Sequence, residues 1–330
     1  MKLQVPFIQL PLAFDAATLA REIADLGEAP WRPHPQGFEG NSMLPLVAVD
    51  GDPANEAFAG RMQPTPALRA CPYLCQVLDA LAVVVGRTRL MRLAGNAEVT
   101  RHADQGYYWA ERLRVHVPVV TQPTVRFECG ESAVNMAAGE CWVFDTWRQH
   151  RVLNDDSASR IHLVVDTVGG DGFWDLLARG RSPGHPVPPD WTAQACPPRP
   201  GHVPALACEQ SNVPRVMSPW ELNMLFTLLF TDTLPGPQLA RVQQVSLRFV
   251  RTWRALWARH GDATEGLPAY RAALHAFLAE VGGPGQTLGL RNQLNWFAAM
   301  RAMIAQVAVE ADRAAPTADA DMQRMMGDNA

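Results

Sequence analysis

Lysine is almost absent from this chain: Lys2 is the only one, and arginine supplies nearly all of the positive charge. The formal net charge is −4 at pH 7, the sequence pI is about 6.1, and the basic residues form no run. A protein whose main partner is nucleic acid carries a basic patch or stripe. The composition therefore excludes nucleic acid as the main partner.

Zinc-type cysteine pairs and long apolar runs are also missing. The six cysteines form no Cys-x-x-Cys pair, and in a chain of 330 residues their even number says little about disulfides. No window of about 18 apolar residues exists, so no membrane span is predicted. The N-terminal stretch is interrupted by Pro6 and Pro11 and lacks a basic region, so we expect no signal peptide. We expect a reduced, cytoplasmic protein.

A globular composition, 48% hydrophobic and 19% charged, is present instead. Residues 3–12 read as a strand, and residues 15–26 read as a helix because their apolar side chains recur at helical spacing. Residues 44–49 favour another strand. Residues 67–85 favour a second helix, with Gly86 as its stop signal.

From residue 89 onward the pattern changes to short runs rich in β-branched and aromatic residues, separated by turn residues. Closely spaced short strands of this kind are typical of an antiparallel sandwich or jelly roll. The predicted strands cover residues 89–95, 112–120, 124–129, 132–137, 141–146, 149–153 and 160–168.

Proline marks the next change, with nine prolines between residues 180 and 215. Such a segment is a linker or an extended strap over a surface. Helical patterns follow over residues 220–230, 237–260, 270–281 and 288–309, and the polar stretch after Ala314 is expected to be frayed. We therefore predict a β domain with N-terminal helices over residues 1–180, a Pro-rich linker over 181–217 and a helical domain over 218–330.

Two histidines and an aspartate carry the strongest chemical signal. His102-Ala103-Asp104 is followed by His150, and Arg160 lies ten positions further on. Two imidazoles and one carboxylate form the 2-His-1-carboxylate set that holds non-heme Fe(II) and leaves open positions for a co-substrate and oxygen. Arg160 suits a carboxylate of the co-substrate. Each of these residues alone has an ordinary structural explanation, and their combination favours the metal site.

Strand alternation adds further polar groups to the same interior. Arg112, Arg114 and His116 share one face of a strand whose other face is apolar. Burying such groups without partners costs roughly 2–7 kcal/mol each, so a metal and a charged ligand would supply the partners. Arg160, His162, Val164 and Asp166 share a face in the same way. His162 is either a packed core histidine or a group oriented toward the site.

Aromatic residues follow the first metal ligands. Tyr107, Tyr108 and Trp109 either wall a substrate pocket, or form a packed aromatic cluster or a lid hinge near Gly106. Trp253, Trp257 and Trp296 lie on predicted helices, where core packing is the favoured explanation over a docking surface.

These motifs together resemble the aspartyl/asparaginyl β-hydroxylase family, which also includes bacterial enzymes that hydroxylate free proline. The resemblance covers about residues 89–168, and the layout with a helical C-terminal region is similar to that of the proline hydroxylases. The matching elements are His102-x-Asp104, Arg112-x-Arg114-x-His116-x-Pro118, Gly139-Glu140-x-Trp142-x-Phe144-Asp145, His150 with Asn154, and Arg160 with Asp166.

The resemblance implies a mainly β catalytic core of the double-stranded β-helix type, a cupin-like jelly roll, with supporting helices and an α-helical C-terminal region. It implies that His102, Asp104 and His150 bind Fe(II), and that Arg160, His116 and Arg114 contact 2-oxoglutarate. We assign Arg112, Tyr108 and Trp109 to substrate. Some family members have glycine where Asp104 stands, and this chain keeps the carboxylate.

The implied activity is hydroxylation of an amino acid, free and proline-like or peptide-linked and Asp/Asn-like, with consumption of 2-oxoglutarate and O2 and release of succinate and CO2. The alternative is a metal-binding cupin-like barrel without oxygenase activity, such as an isomerase or a ligand sensor. A third possibility is an interaction protein that docks through its helical region. No nucleic-acid or membrane partner is expected, and the oligomeric state is open, with a homodimer among the options.

Overall fold

The structure, a computed structural model that describes residues 1–35 and 37–310, divides into two units. Unit 1 comprises Met1–His102 and Glu111–Asn212. Unit 2 comprises Ala103–Ala110 and, among the described residues, 213–310. The predicted frayed stretch after Ala314 lies outside the described residues.

Unit 1 is built on two sheets, as the alternating apolar pattern predicts. The larger sheet has nine strands in the order β13-β1-β10-β7-β12-β5-β3-β2, with β4 paired to β3, and the smaller has the order β6-β11-β8-β9. The strands are β1 Phe7–Phe14, β2 Arg32–Pro33, β3 Asn41–Val49, β4 Met62–Pro64, β5 Val85–Leu93, β6 Glu98–His102, β7 Leu113–Val120, β8 Val125–Cys129, β9 Ser132–Val134, β10 Glu140–Phe144, β11 His150–Asn154, β12 Arg160–Thr167 and β13 Gln194–Cys196.

Each face of the large sheet has its own core. One face packs against the helices of unit 1, where Val115, Val117 and Leu163 join a large apolar cluster with Leu19 and Leu74. The other face shares a smaller cluster with the four-stranded sheet, listed here in full: Phe7, Leu93, Val125, Phe127, Cys129, Met136, Trp142, Phe144 and Val152. Two sheets packed through such an inner layer are a jelly roll, and the predicted β core with supporting helices is confirmed.

The helices of unit 1 are α1 Ala16–Asp25, α2 Pro66–Arg69, α3 Pro72–Ala80 and α5 Asp171–Ala178. The single helix predicted over residues 67–85 is wrong. Pro72 starts a new helix because it has no N–H for the preceding turn, and Gly86 lies inside β5 instead of stopping a helix.

The Pro-rich segment packs along unit 1 as far as residue 212, as the strap interpretation predicts. Strand β13 adds to β1 in parallel. The backbone of Glu209 also accepts from Met62 N at 2.8 Å and donates to Val85 O at 3.0 Å. The boundary between the units therefore follows Asn212, inside the range 181–217 that the sequence predicts as a linker.

Unit 2 contains α4 Tyr107–Ala110, α6 Pro219–Asp232, α7 Leu239–His260, α8 Leu267–Gln286 and α9 Trp296–Met300. Its core centres on Phe249 and Phe277, whose rings stack at 4.3 Å, and on the fully buried Trp253 and Trp296. The core assignment of these two tryptophans is confirmed, and Trp257 is partly buried.

The helix predicted over residues 288–309 is wrong in its first half. Gln293 has a left-handed backbone (φ 69°) within a tight turn, and Asn295 caps α9 by accepting from the backbone of Phe297 and Ala298. After α9, Arg301–Ala305 forms a π turn. None of the helices that the structure describes is long and apolar enough to cross a membrane.

Candidate functional site

The two metal-ligand histidines lie on adjacent strands of the small sheet. His102 ends β6 and pairs directly with His150, the first residue of β11. Directly paired residues of an antiparallel ladder project their side chains from the same face, so the two imidazoles meet. Their ring centroids are 4.3 Å apart.

Backbone carbonyls set the tautomer of both imidazoles. His102 Nδ1 lies 2.7 Å from Thr100 O, and His150 Nδ1 lies 2.9 Å from Arg148 O. Because a carbonyl only accepts, each Nδ1 carries the proton and each Nε2 carries the lone pair. This arrangement is typical of metal-binding histidines, whose second nitrogen is held by a hydrogen bond.

Asp104 completes the set. One ligand atom each from His102, Asp104 and His150 lies within 4.8 Å of the other two. Asp104 follows His102 by two residues, in the irregular segment just past the end of β6. Two neutral imidazoles and one carboxylate are the donor set of a mononuclear Fe(II) site with open positions. The three predicted ligands therefore lie together.

Arg160, the first residue of β12, lies inside unit 1 with only 4% of its surface exposed. Burial lowers the pKa of its guanidinium to about 10, so it remains a cation at neutral pH. Its Nε and Nη1 have no hydrogen-bond partner within the described chain. A buried cation with unsatisfied donors is what a carboxylate ligand requires of its site.

His116 and His162 lie next to Arg160 in the interior. Their Nδ1 atoms are 3.3 Å apart, and both side chains are buried. Burial, with the charge of Arg160 as the next cause, lowers the pKa of both imidazoles well below the usual value, so both are neutral. The alternation that placed His116 and His162 on interior faces is confirmed.

Arg114 is held by a buried carboxylate. Its Nε donates to Asp166 Oδ1 at 3.0 Å, and Arg89 lies 3.9 Å from the other oxygen of Asp166. The residues sit on β7, β12 and β5, where Arg114 pairs with Asp166 across the sheet. Asp166 thus orients Arg114 toward the interior.

Arg112 is paired with a carboxylate of the Pro-rich segment. Its guanidinium forms a two-pronged ion pair with Glu209, at 2.8 and 3.2 Å, and both side chains are buried. Arg112 directly precedes Leu113, the first residue of β7. Its substrate role stays a prediction.

Tyr108 and Trp109 lie in α4 and are buried, with their rings edge-to-face at 4.8 Å. Within unit 2, the neighbouring Tyr107 donates its hydroxyl to the Glu221 carboxylate at the start of α6. This contact agrees with the packed-cluster alternative for the three aromatics. The substrate roles of Tyr108 and Trp109 stay predictions.

Several residues near the site were not assigned from the sequence. The rings of Phe127 and Phe144 lie between His116 and His150, at 4.9 to 6.4 Å from one or the other. Phe38 lies 6.1 Å from His102. The sequence could have indicated the inward position of Phe144. It lies two residues after Trp142 on β10, so both side chains project from the same face of the strand.

A second omission concerns β5, whose Arg87 and Arg89 are both buried. Two arginines two positions apart in an apolar strand are the same signal that singled out Arg112 and Arg114. Burial and the charges of these arginines lower the pKa of nearby His34 to about 3.

Comparison with known proteins gives one family. Residues 56–169, about a third of the chain, match the model of the family described as aspartyl/asparaginyl beta-hydroxylase. The comparison with curated proteins found no match.

Solved structures give weak likenesses. A 2OG-Fe(II) oxygenase family oxidoreductase from Burkholderia pseudomallei has 17% identity and a TM-score of 0.38, over 51% of this chain and 89% of that one. A Pseudomonas putida prolyl-4-hydroxylase has 16% identity and a TM-score of 0.35, over 50% and 92%. The family match spans His102, Asp104, His116, His150 and Arg160, as the motifs predicted. Residues 56–169 are therefore similar to the aspartyl/asparaginyl beta-hydroxylase family.

Proposed function

We propose that this protein is an Fe(II)- and 2-oxoglutarate-dependent dioxygenase that hydroxylates an unactivated C–H bond of an amino acid, free or peptide-linked. The observation that carries the proposal is the convergence of ligand atoms from His102, Asp104 and His150 within 4.8 Å, with both histidine tautomers set for binding through Nε2. This donor set suits Fe(II) and leaves three coordination positions for other ligands.

The interior next to the triad suits a dicarboxylate. Arg160 offers the unsatisfied Nε–H and Nη1–H groups, and the neutral His116–His162 pair offers one further N–H. Donors exceed acceptors in this set, so the ligand that satisfies it must be rich in acceptors. A carboxylate of 2-oxoglutarate fits, and Arg160 is its anchor.

When bound, Fe(II) and 2-oxoglutarate supply the oxygen activation: one atom of O2 enters succinate as CO2 leaves, and the other enters the substrate hydroxyl. The residues of the chain bind and orient these groups. Phe127 and Phe144 exclude water beside His150 and His116, which strengthens the polar contacts of the interior. Arg114, oriented by Asp166, contacts the co-substrate or the carboxylate of the amino acid.

The test is succinate formation. Purified protein with Fe(II), 2-oxoglutarate and ascorbate is incubated with each common amino acid and with Asp-, Asn- and Pro-containing peptides, and succinate and a mass gain of one oxygen are measured. We expect both products in equal amounts with at least one substrate. Tight iron binding without succinate across the panel would instead favour a barrel that acts as a sensor or an isomerase.

Two variants test the site. His150→Ala removes a ligand, so we expect loss of both iron binding and turnover. Arg160→Ala keeps the triad, so iron still binds while the KM for 2-oxoglutarate rises by roughly 100-fold, the size expected for a lost charge-assisted pair. An Arg160→Ala enzyme with wild-type kinetics would remove the anchor from the proposal.

A further inference from the structure

His162 is a buried imidazole beside His116. It is neither a metal ligand of the proposed site nor the residue that anchors the co-substrate. Its Nδ1 lies 3.3 Å from His116 Nδ1, and its side chain is only 1% exposed. The two residues come from the neighbouring strands β12 and β7, where His162 pairs with Pro118. The Nε2 atoms of both imidazoles have no hydrogen-bond partner in the part of the chain that the structure describes.

The shared hydrogen bond couples the tautomers of the pair. Each neutral imidazole carries one proton, so an Nδ1···Nδ1 bond needs one Nδ1–H and one bare Nδ1. The donor of the pair then has a bare Nε2, and the acceptor has its proton on Nε2. The pair therefore has two states, which differ in which of the two residues presents an Nε2–H.

His116 is the member that faces the metal ligands. Its ring lies 5.2 Å from Phe127 and 5.4 Å from Phe144, and both rings also contact His150. The positive charge of Arg160 acts on both imidazoles. His162 lies two residues after Arg160 on the same strand, β12.

We propose that His162 is a positioning residue that donates its Nδ1–H to His116, so that His116 presents its Nε2–H to an oxygen of the anion held by Arg160. The opposite state would aim a lone pair of His116 at that anion, which is repulsive. The favoured state also leaves the lone pair of His162 Nε2 in the field of the Arg160 cation. The inference rests on the proposed function, in which the anion is 2-oxoglutarate.

Nitrogen NMR of the histidine-labelled full chain tests the tautomers directly, because protonated and bare imidazole nitrogens have well-separated ¹⁵N shifts. Zn(II) replaces Fe(II) to keep the sample diamagnetic, and spectra of His116→Gln and His162→Asn assign the signals. We expect a proton on Nε2 of His116 and on Nδ1 of His162. A proton on Nδ1 of His116 would overturn the proposal, whatever the activity of the enzyme.

Substitution at 162 tests the consequence for the ligand. In His162→Asn, the side-chain amide still donates near the former Nδ1, whereas His162→Leu removes the donor at similar volume. Calorimetric titration of Mn(II)-loaded protein with 2-oxoglutarate should give a Kd roughly 10-fold weaker for the Leu variant, and within about threefold of wild type for the Asn variant. The Kd for Mn(II) should not change in either variant.

A matched control is His275→Leu, which removes an exposed imidazole from α8 and should leave both Kd values at the wild-type level. Equal losses in the Leu and Asn variants would show a packing role and contradict the proposal. If the wild type fails to bind 2-oxoglutarate while the NMR shows the expected tautomers, the proposed function is wrong. The hydrogen bond from His162 to His116 is then still supported. A misfolded Leu variant leaves the NMR of the wild type as the deciding measurement.

Discussion

At the scale of single residues, the buried charge of Arg160 lowers the stability of the folded protein. A guanidinium whose pKa burial lowers to about 10 from its ordinary value is disfavoured in its charged form by about 3 kcal/mol. The folded state bears the full cost at every pH below about 10, and the cost is relieved only as the pH rises from there toward the ordinary pKa of arginine. A carboxylate bound to Arg160 would offset the cost of burying this charge, which gives a reason for an arginine at this position.

Replacing Arg160 by Met should therefore stabilise the ligand-free protein, because Met fills similar space without a charge. We expect a gain of roughly 1–3 kcal/mol at pH 7, or about 2–4 °C in Tm per kcal/mol for a unit of this size. Scanning calorimetry measures the change.

The control for this prediction is Arg126→Met, at an exposed position, which should change stability by no more than about 0.5 kcal/mol. Addition of 2-oxoglutarate to protein already loaded with Mn(II) should raise the Tm of the wild type further and leave that of Arg160→Met unchanged. A Tm below the wild-type value in the ligand-free variant would show that Arg160 is compensated within the protein.

At the scale of elements, the turn before β10 explains why glycine stands in the motif Gly139-Glu140-x-Trp142. Gly139 has φ +82°, and a Cβ there would lie 2.2 Å from the carbonyl oxygen of Phe14. Its own N–H donates to Pro118 O at 2.8 Å, so the turn ties β10 to both of its neighbours, β1 and β7. The register that results places Phe144 beside His150.

Gly139→Ala and Gly184→Ala form a matched pair that separates backbone strain from this clash. Gly184 has a similar φ of +79° with nothing within 4 Å of the added Cβ. We expect Gly184→Ala to cost roughly 1–2 kcal/mol and Gly139→Ala to cost clearly more, about 3 kcal/mol or above, because the carbonyl of Phe14 must move. Urea unfolding with an unchanged m-value measures both, and equal costs would show that β1 yields without penalty.

The strands and helices that the sequence predicts well are those defined by the spacing of apolar residues close together in the chain. Alternation predicted β5 and the strands from β7 to β12 to within four residues at each end, whereas β6, which carries His102, was not predicted. The single helix over 67–85 failed because apolar spacing outweighed Pro72, and the strand that begins at Val85 was read as its last turn.

Contacts between distant residues could not be predicted from one sequence. The carboxylate that pairs with Arg112 is Glu209, which lies in the Pro-rich segment and has no local signal. The His116–His162 bond needs the register of β7 against β12, whereas alternation gives only the face of each strand. The triad was predictable because its residue types and spacing define a metal chemistry before any fold is known.

At the scale of the whole molecule, the chain divides its packing into two cores, and the segment Ala103–Ala110 belongs with the helical one. Tyr107 donates to Glu221 within unit 2, and α4 packs against the turn after α9. A short segment that carries Asp104 thus has its local stability set by helices more than a hundred residues further along the chain. This grouping predicts which peptides lose protection together when one core is weakened.

Phe249→Ala should weaken the helical core by about 3–5 kcal/mol, because the stacked contact with Phe277 is lost and a cavity remains. Hydrogen exchange followed by mass spectrometry should then show faster exchange in α6, α7, α8 and in the peptide that covers residues 103–110. The matched variant is Phe173→Ala, which opens an equally buried site of α5 in unit 1 and should accelerate α1, α3 and β7 instead. If residues 103–110 respond to Phe173→Ala and not to Phe249→Ala, the segment draws its stability from the β core, and the helical region has no part in holding Asp104.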